Sequence, residues 1–197
     1  MLFLHGFPEF WFSWRNQLKY FSSKGYYCVA FDLRGYNDSD KPKGIRSYGL
    51  DYLTSDVKAI IDGLGKSSCT LVGKIQSFFL NFKWHDCTPF FSKIGHDWGG
   101  AVGYAFTSKY PNYVKQYITI NIPHPKSLER ERDSSLKQKL MSWYMVFFQC
   151  PKLPEIFFSS SDFVILDDIT KDAKGDDEMA EAYKYAFRSP GGQKRPN

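Results

Sequence analysis

The residues with the clearest chemical capacity in this sequence are Gly95-His96-Asp97-Trp98-Gly99-Gly100. An apolar run (Phe90, Phe91, Ile94) precedes them, and an Ala-rich helical stretch, Ala101 to Lys109, follows. Strand, very tight turn and helix in that order make a nucleophile elbow, which raises one side chain above the end of a sheet. Such a turn strains its central residue into positive φ, so its neighbours at minus two, plus two and plus three must be small. Gly95, Gly99 and Gly100 hold those places around Asp97, so the expected nucleophile is a carboxylate. A carboxylate attacks an electrophilic sp3 carbon and forms an ester. Water must then cleave that ester with the help of a general base, usually His held by an acid. The positive end of the following helix would keep Asp97 ionised, as attack requires. The plainer alternative is a glycine-rich turn in which Asp97 only caps the helix.

The elements that must position this turn can be read along the chain. Met1 to Leu4 reads as a buried strand and His5-Gly6-Phe7-Pro8 as the turn leaving it. Glu9 to Phe21 has Trp11, Trp14, Leu18 and Phe21 at helical steps. Tyr26 to Asp32 is β-rich and ends in the polar loop Leu33 to Lys43. Tyr52 to Leu64 is helical through Leu53, Val57, Ile60, Ile61 and Leu64, closing at Gly65, and Cys69 to Gly73 is a third strand. Beyond the elbow helix, Tyr110-Pro111 stops the helix, Tyr113 to Asn121 supplies another strand, and Pro123-His124-Pro125 leaves the sheet. Strands alternating with helices predict a parallel α/β sheet. Its carboxyl edge should gather His5 to Pro8, the loop after Asp32 and the elbow. Acyl-transfer sites of this kind pair an N–H from an early strand-end loop with that of the residue after the nucleophile, which here are Phe7 and Trp98.

Composition narrows the class. Of 197 residues, 43% are hydrophobic and 18% aromatic, as expected of a globular chain with a sizeable core. The net charge of +5 is spread out, and Glu129-Arg130-Glu131-Arg132-Asp133 mixes signs, which argues against a nucleic-acid patch. Cys28, Cys69, Cys87 and Cys150 show no CxxC and no metal-ligand spacing, which suits a reducing compartment. His85-Asp86-Cys87 is no metal site either, because adjacent residues of an extended chain point in opposite directions. No apolar run approaches transmembrane length.

Taken together, His5-Gly6-Phe7-Pro8-Glu9-Phe10-Trp11-Phe12-Ser13-Trp14, Asp32-Leu33-Arg34-Gly35-Tyr36, Gly95 to Gly100 and Asn121-Ile122-Pro123-His124-Pro125 resemble the epoxide hydrolases of the α/β-hydrolase superfamily. The likeness is greatest to the animal epoxide hydrolase 3 and 4 branch, and it is collinear over most of residues 1–73 and 95–192. It implies a partial α/β-hydrolase core over 1–125 and the first part of a helical lid over 126–197. It implies that Asp97 forms the aspartyl ester that opens an epoxide to a vicinal diol. Tyr144, at the place of the first lid tyrosine, would polarise the epoxide oxygen, since a phenol donates a hydrogen bond to a developing alkoxide at neutral pH. The plain alternative for Tyr144 is one more aromatic on an amphipathic helix. His5, Gly6, Pro8, Gly95, His96, Gly99 and Gly100 would support the elbow and its facing turn, and His124 would be structural. Tyr183 and Tyr185 do not match the second lid tyrosine, and the acidic run from Asp167 to Glu178 reads as a solvated loop. The implied substrate is a small hydrophobic epoxide, lipid-derived compounds included, with no cofactor, no metal and no nucleic acid. Membrane association would concern only a full-length parent, whether cytoplasmic or attached to the endoplasmic reticulum.

Three departures from the family pattern set further expectations. Asn37 stands where the family carries glycine, a mild change because Asn tolerates positive φ. Gly73 should run straight into His-Asp-Trp, yet residues 74–95 intervene, so both Gly73 and Gly95 could serve as the elbow's first glycine. The aromatic, aperiodic stretch Ile75 to Trp84 resembles translated non-coding sequence such as a retained intron. Leu71 and Val72 are expected to keep the strand before the elbow, in competition with Phe90 to Ile94, with Lys74 to Lys93 looped out. Finally, the second lid tyrosine and the acid and histidine of the triad have no counterparts, nor do the early strands before Met1. None of His5, His85, His96 or His124 suits the base, so the chain reads as a fragment or aberrant gene model that does not complete turnover. Two alternatives stand beside the epoxide hydrolase: a haloalkane dehalogenase-like hydrolase, which also uses Asp followed by Trp, and a non-catalytic product.

Overall fold

The structure is a computed structural model and describes residues 1–7, 9–74, 98–120, 124, 126–127, 130, 147, 150, 153, 156 and 177–188. Pro8, Gly95, His96, Asp97 and Tyr144 lie outside the described residues, as does the side chain of Trp98. Four strands, β1 (Leu2–Leu4), β2 (Val29–Phe31), β3 (Cys69–Lys74) and β4 (Val114–Ile120), form one sheet in the order β2-β1-β3-β4. All three pairings are parallel, with Leu2 opposite Val29 and Leu71, and Gly73 opposite Leu4 and Thr119. Cys69–Lys74 thus holds the sheet position between β1 and β4, as expected for Leu71 and Val72; Lys74, expected in a loop, instead ends the strand opposite Ile120, and residues 75–93 lie outside the described residues. The helices are α1 (Arg15–Ser23), α2 (Leu50–Gly63), α3 (Trp98–Lys109) and α4 (Asp177–Arg188). The sheet with α1 to α3 lies in one compact unit, and α4 as far as Tyr185 in a second.

Alternation along the strands sorts the core into two layers. Leu2, Leu4 and Leu71 pack with Leu53, Val57 and Ile61 of α2 and with Val102 and Phe106 of α3. Phe3 and Val72 point to the other face and meet Trp14, Leu18 and Phe21. A period of two in the strands and of three to four in the helices produces this division directly. The buried hydroxyl of Thr54 is satisfied within α2 by the Leu50 carbonyl at 2.8 Å. The chain runs β1 to β2 in one direction, crosses back over β1 to β3, and continues to β4. The strand order therefore reverses between β1 and β3, and ligand sites of open parallel sheets lie beyond the carboxyl ends at such a switch.

Three expected boundaries shift. The helix expected from Glu9 starts later: Trp11–Trp14 is a 3-10 turn and α1 begins at Arg15. The Trp11 amide donates to Asp32 Oδ1 at 2.8 Å and so is already engaged elsewhere. β2 is shorter than Tyr26 to Asp32, because Tyr26 belongs to the end of α1. The Gly25 and Tyr26 amides donate back to the Ser22 and Phe21 carbonyls, with Gly25 at φ 84, which is a Schellman cap. Gly65, at φ 65, closes α2 in the same way. Asp177 and Glu178, expected in a loop, open α4 instead, where negative charge complements the helix dipole.

Candidate active site

His5 directly follows β1 and is fully buried. Its Nδ1–H donates to the Gly6 carbonyl at 2.8 Å, which leaves Nε2 to accept the Leu33 amide at 2.9 Å. Tyr36 packs edge-on, ring centres 4.7 Å apart. Desolvation pushes the His5 pKa down from 6.5 to about 4, against the opposing pulls of the Gly6 carbonyl and Glu9. The ring is therefore a neutral strut between β1 and the loop after β2. Glu9, also buried, closes the Gly6–Glu9 turn through its amide on the Gly6 carbonyl at 3.0 Å. That turn presents Phe7.

The loop after β2 is clamped by its own motif. The Asp32 carboxylate accepts from the Trp11 amide at 2.8 Å and from the Asn37 side-chain amide at 2.9 Å. Its carbonyl accepts from the Ser39 hydroxyl at 2.6 Å. Burial raises the Asp32 pKa and these hydrogen bonds hold it back. Arg34 forks onto Asp56 of α2, Nε to Oδ2 at 2.6 Å, and reaches the Ser47 carbonyl with Nη1 at 2.8 Å. Asn37 takes φ 38, the conformation for which glycine was expected. Gly35, at φ 90, lies so close to Tyr48 that a Cβ would sit 2.7 Å from its ring.

The start of α3 meets the strand ends through absent side chains. A Cβ on Gly99 would lie 2.6 Å from the Leu4 carbonyl oxygen and still nearer that of His5. A Cβ on Gly73 would lie 2.9 Å from the Gly99 carbonyl and 2.8 Å from the Tyr117 hydroxyl. Tyr117 donates to the Gly100 carbonyl at 2.7 Å, and burial raises its pKa, so it remains a phenol. The ends of β1 and β3, the turn presenting Phe7 and the first turn of α3 thus converge at the switch between β1 and β3. A helix N-terminus there offers free amides and positive potential to a carboxylate or oxyanion. His5, Gly73, Gly99 and Gly100 are brought together, and Gly6 and Phe7 follow His5 directly in the chain. His124 is described and belongs to the other compact unit. Reasoning from sequence missed Tyr117, whose only trace is the glycine series 73, 99, 100 and 103 that leaves room for it, and the Asp32–Trp11–Asn37 clamp. Among the described residues no group of three His, Cys, Asp or Glu could hold a metal ion, and no helix is long and apolar enough to cross a membrane.

A family model described as the alpha/beta hydrolase fold matches residues 1–74. The sheet, its switch point and the helix that starts there agree with it, and the chain has the α/β-hydrolase fold. The chain is 40% identical to Epoxide hydrolase 1 of Caenorhabditis elegans, over 97% of its own length and 44% of that protein. It is 40% identical to Epoxide hydrolase 4 of Mus musculus, over 100% and 51%. The crystal structure of a Bacillus megaterium epoxide hydrolase in complex with an inhibitor superposes with a TM-score of 0.78 at 35% identity, covering 97% of this chain and 61% of that one. These relatives, in sequence and in structure, are epoxide hydrolases. The chain spans about half the length of the curated relatives it matches.

Two outcomes follow. Below pH 6.5 the unfolded chain protonates His5 while the folded chain resists down to about pH 4. Stability is therefore expected to fall across that window by up to about 3 kcal/mol and then level off. Asp32, with its raised pKa, acts in the opposite sense near the bottom of the window. Urea midpoints measured from pH 7 to 4.5 should show the slope, and His5→Gln should flatten it. Gly99→Ala should cost about 1–3 kcal/mol because backbone must move. Gly63→Ala, in open space on α2, should be neutral or stabilising by up to about 1 kcal/mol.

Proposed function

We propose that this chain carries the ester-forming half of an epoxide hydrolase. Asp97 attacks an epoxide carbon, a C–O bond forms as the ring C–O bond breaks, and the alkoxide takes the phenolic proton of Tyr144. Ester hydrolysis then requires water activated by a histidine–acid pair, with the Phe7 and Trp98 amides holding the charge that develops on the ester carbonyl oxygen. Attack on the carbonyl by activated water would release the diol and regenerate Asp97, and the proton the base took from water would return to the Tyr144 phenolate. The substrate class is a small hydrophobic epoxide; the relatives, named epoxide hydrolases, support the epoxide.

The observation that carries this reading is the seating of the first turn of α3 on the Leu4 and His5 carbonyls. It seats Gly99, two residues after Asp97, on the strand end that leads into Phe7, at the sheet's switch point. A polypeptide of these 197 residues has only His5, His85, His96 and His124. His5 is spent on structure, and we assign the base to none of the others. Loss of a general base costs a factor on the order of 100 to 10,000. The isolated chain should therefore stop at the ester.

Purified protein incubated with styrene oxide should gain one adduct mass on Asp97, without diol, and Asp97→Asn should gain none. Diol released over many turnovers would contradict the stalled half-reaction. An Asp97 that is never alkylated would contradict its role as nucleophile.

A further inference from the structure

We infer that Gly73, not Gly95, is the inner small residue of the elbow. The inference rests on Asp97 being the nucleophile. An elbow needs the glycine two before its nucleophile to lie against the residues two and three after it. Gly73 lies there: a Cβ on it would be 2.9 Å from the Gly99 carbonyl oxygen and 3.2 Å from Gly100 Cα. β3 fixes Gly73 in that place by pairing with Leu4 on one side and Thr119 on the other.

Chain reach agrees. Two residues between Gly73 and Trp98 can span roughly 10–11 Å. With Gly73 already against Gly99, His96 and Asp97 suffice to close the connection. The sequence agrees as well. Cutting after Gly73 and resuming at His96 writes Gly73-His96-Asp97-Trp98-Gly99-Gly100, the same residue types in the same order as Gly95 to Gly100. Tyr117 guards the niche, since its hydroxyl holds the Gly100 carbonyl and leaves no room for a side chain at 73. Gly73 is thus a positioning residue for Asp97.

The full chain, a chain lacking 74–95, Gly73→Val and Gly95→Val decide the matter. The deletion should melt at or above the Tm of the full chain, and Gly95→Val should melt with it. Gly73→Val should melt lower by roughly 5 °C or more. Alkylation of Asp97 by styrene oxide should be at least as fast in the deletion, and Gly95→Val should slow it less than Gly73→Val does. It should slow about tenfold or more in Gly73→Val, with Gly73→Ala between. A deletion that does not fold would overturn the inference, and so would Gly95→Val losing as much as Gly73→Val. If no protein is alkylated, the nucleophile assignment falls separately, and the order of melting still decides which glycine serves the elbow.

Discussion

The first turn of α3 rests on the carbonyl oxygens of Leu4 and His5, and that contact exists only because Gly99 has no side chain. A methyl group there would meet fixed backbone, which cannot swing away as a flexible side chain can. Much else follows from this close approach. It sets the helix over the gap between β1 and β3, where the strand order reverses. It holds the start of α3 against the end of β1, from which the chain leads into Phe7. It also seats Val102 and Phe106 on Leu71 and the α2 face of the core, so packing and site geometry share one origin.

The polar residues around this contact serve mainly as scaffold. His5 is neutral and spends both nitrogens on the backbone, so its role is to hold the end of β1 to the loop after β2. Asp32 ties the 3-10 turn at Trp11 to Asn37, and Arg34 ties the same loop to Asp56 of α2. Buried polar groups are costly when unpaired and strongly orienting when satisfied. Three short motifs far apart in sequence are thereby locked into one frame. On the proposed reading, the chemistry in that frame falls to Asp97.

Much of this was legible in the sequence because periodicity and glycine placement report local physics. The strand at Cys69 to Gly73, the closure of α2 at Gly65 and the positive φ of Asn37 were all readable in that way. Other features were hidden because they are decided between segments. The aromatic spacing of Trp11 and Trp14 suggests a helix, yet Asp32 claims the Trp11 amide across the fold. Tyr26 and Tyr27 look like strand residues, but the Gly25 cap takes the chain out of the sheet there. Tyr117 could not be singled out, since its importance comes from glycines on two other elements.

The most direct measurement is a crystal structure of the chain that resolves Asp97. The account predicts its carboxylate above the ends of β1 and β3, with the Phe7 and Trp98 amides turned to a common point about 3 Å away. A carboxylate directed away from that end would contradict it. So would a strand at Phe90 to Ile94 replacing Cys69–Lys74 between β1 and β4.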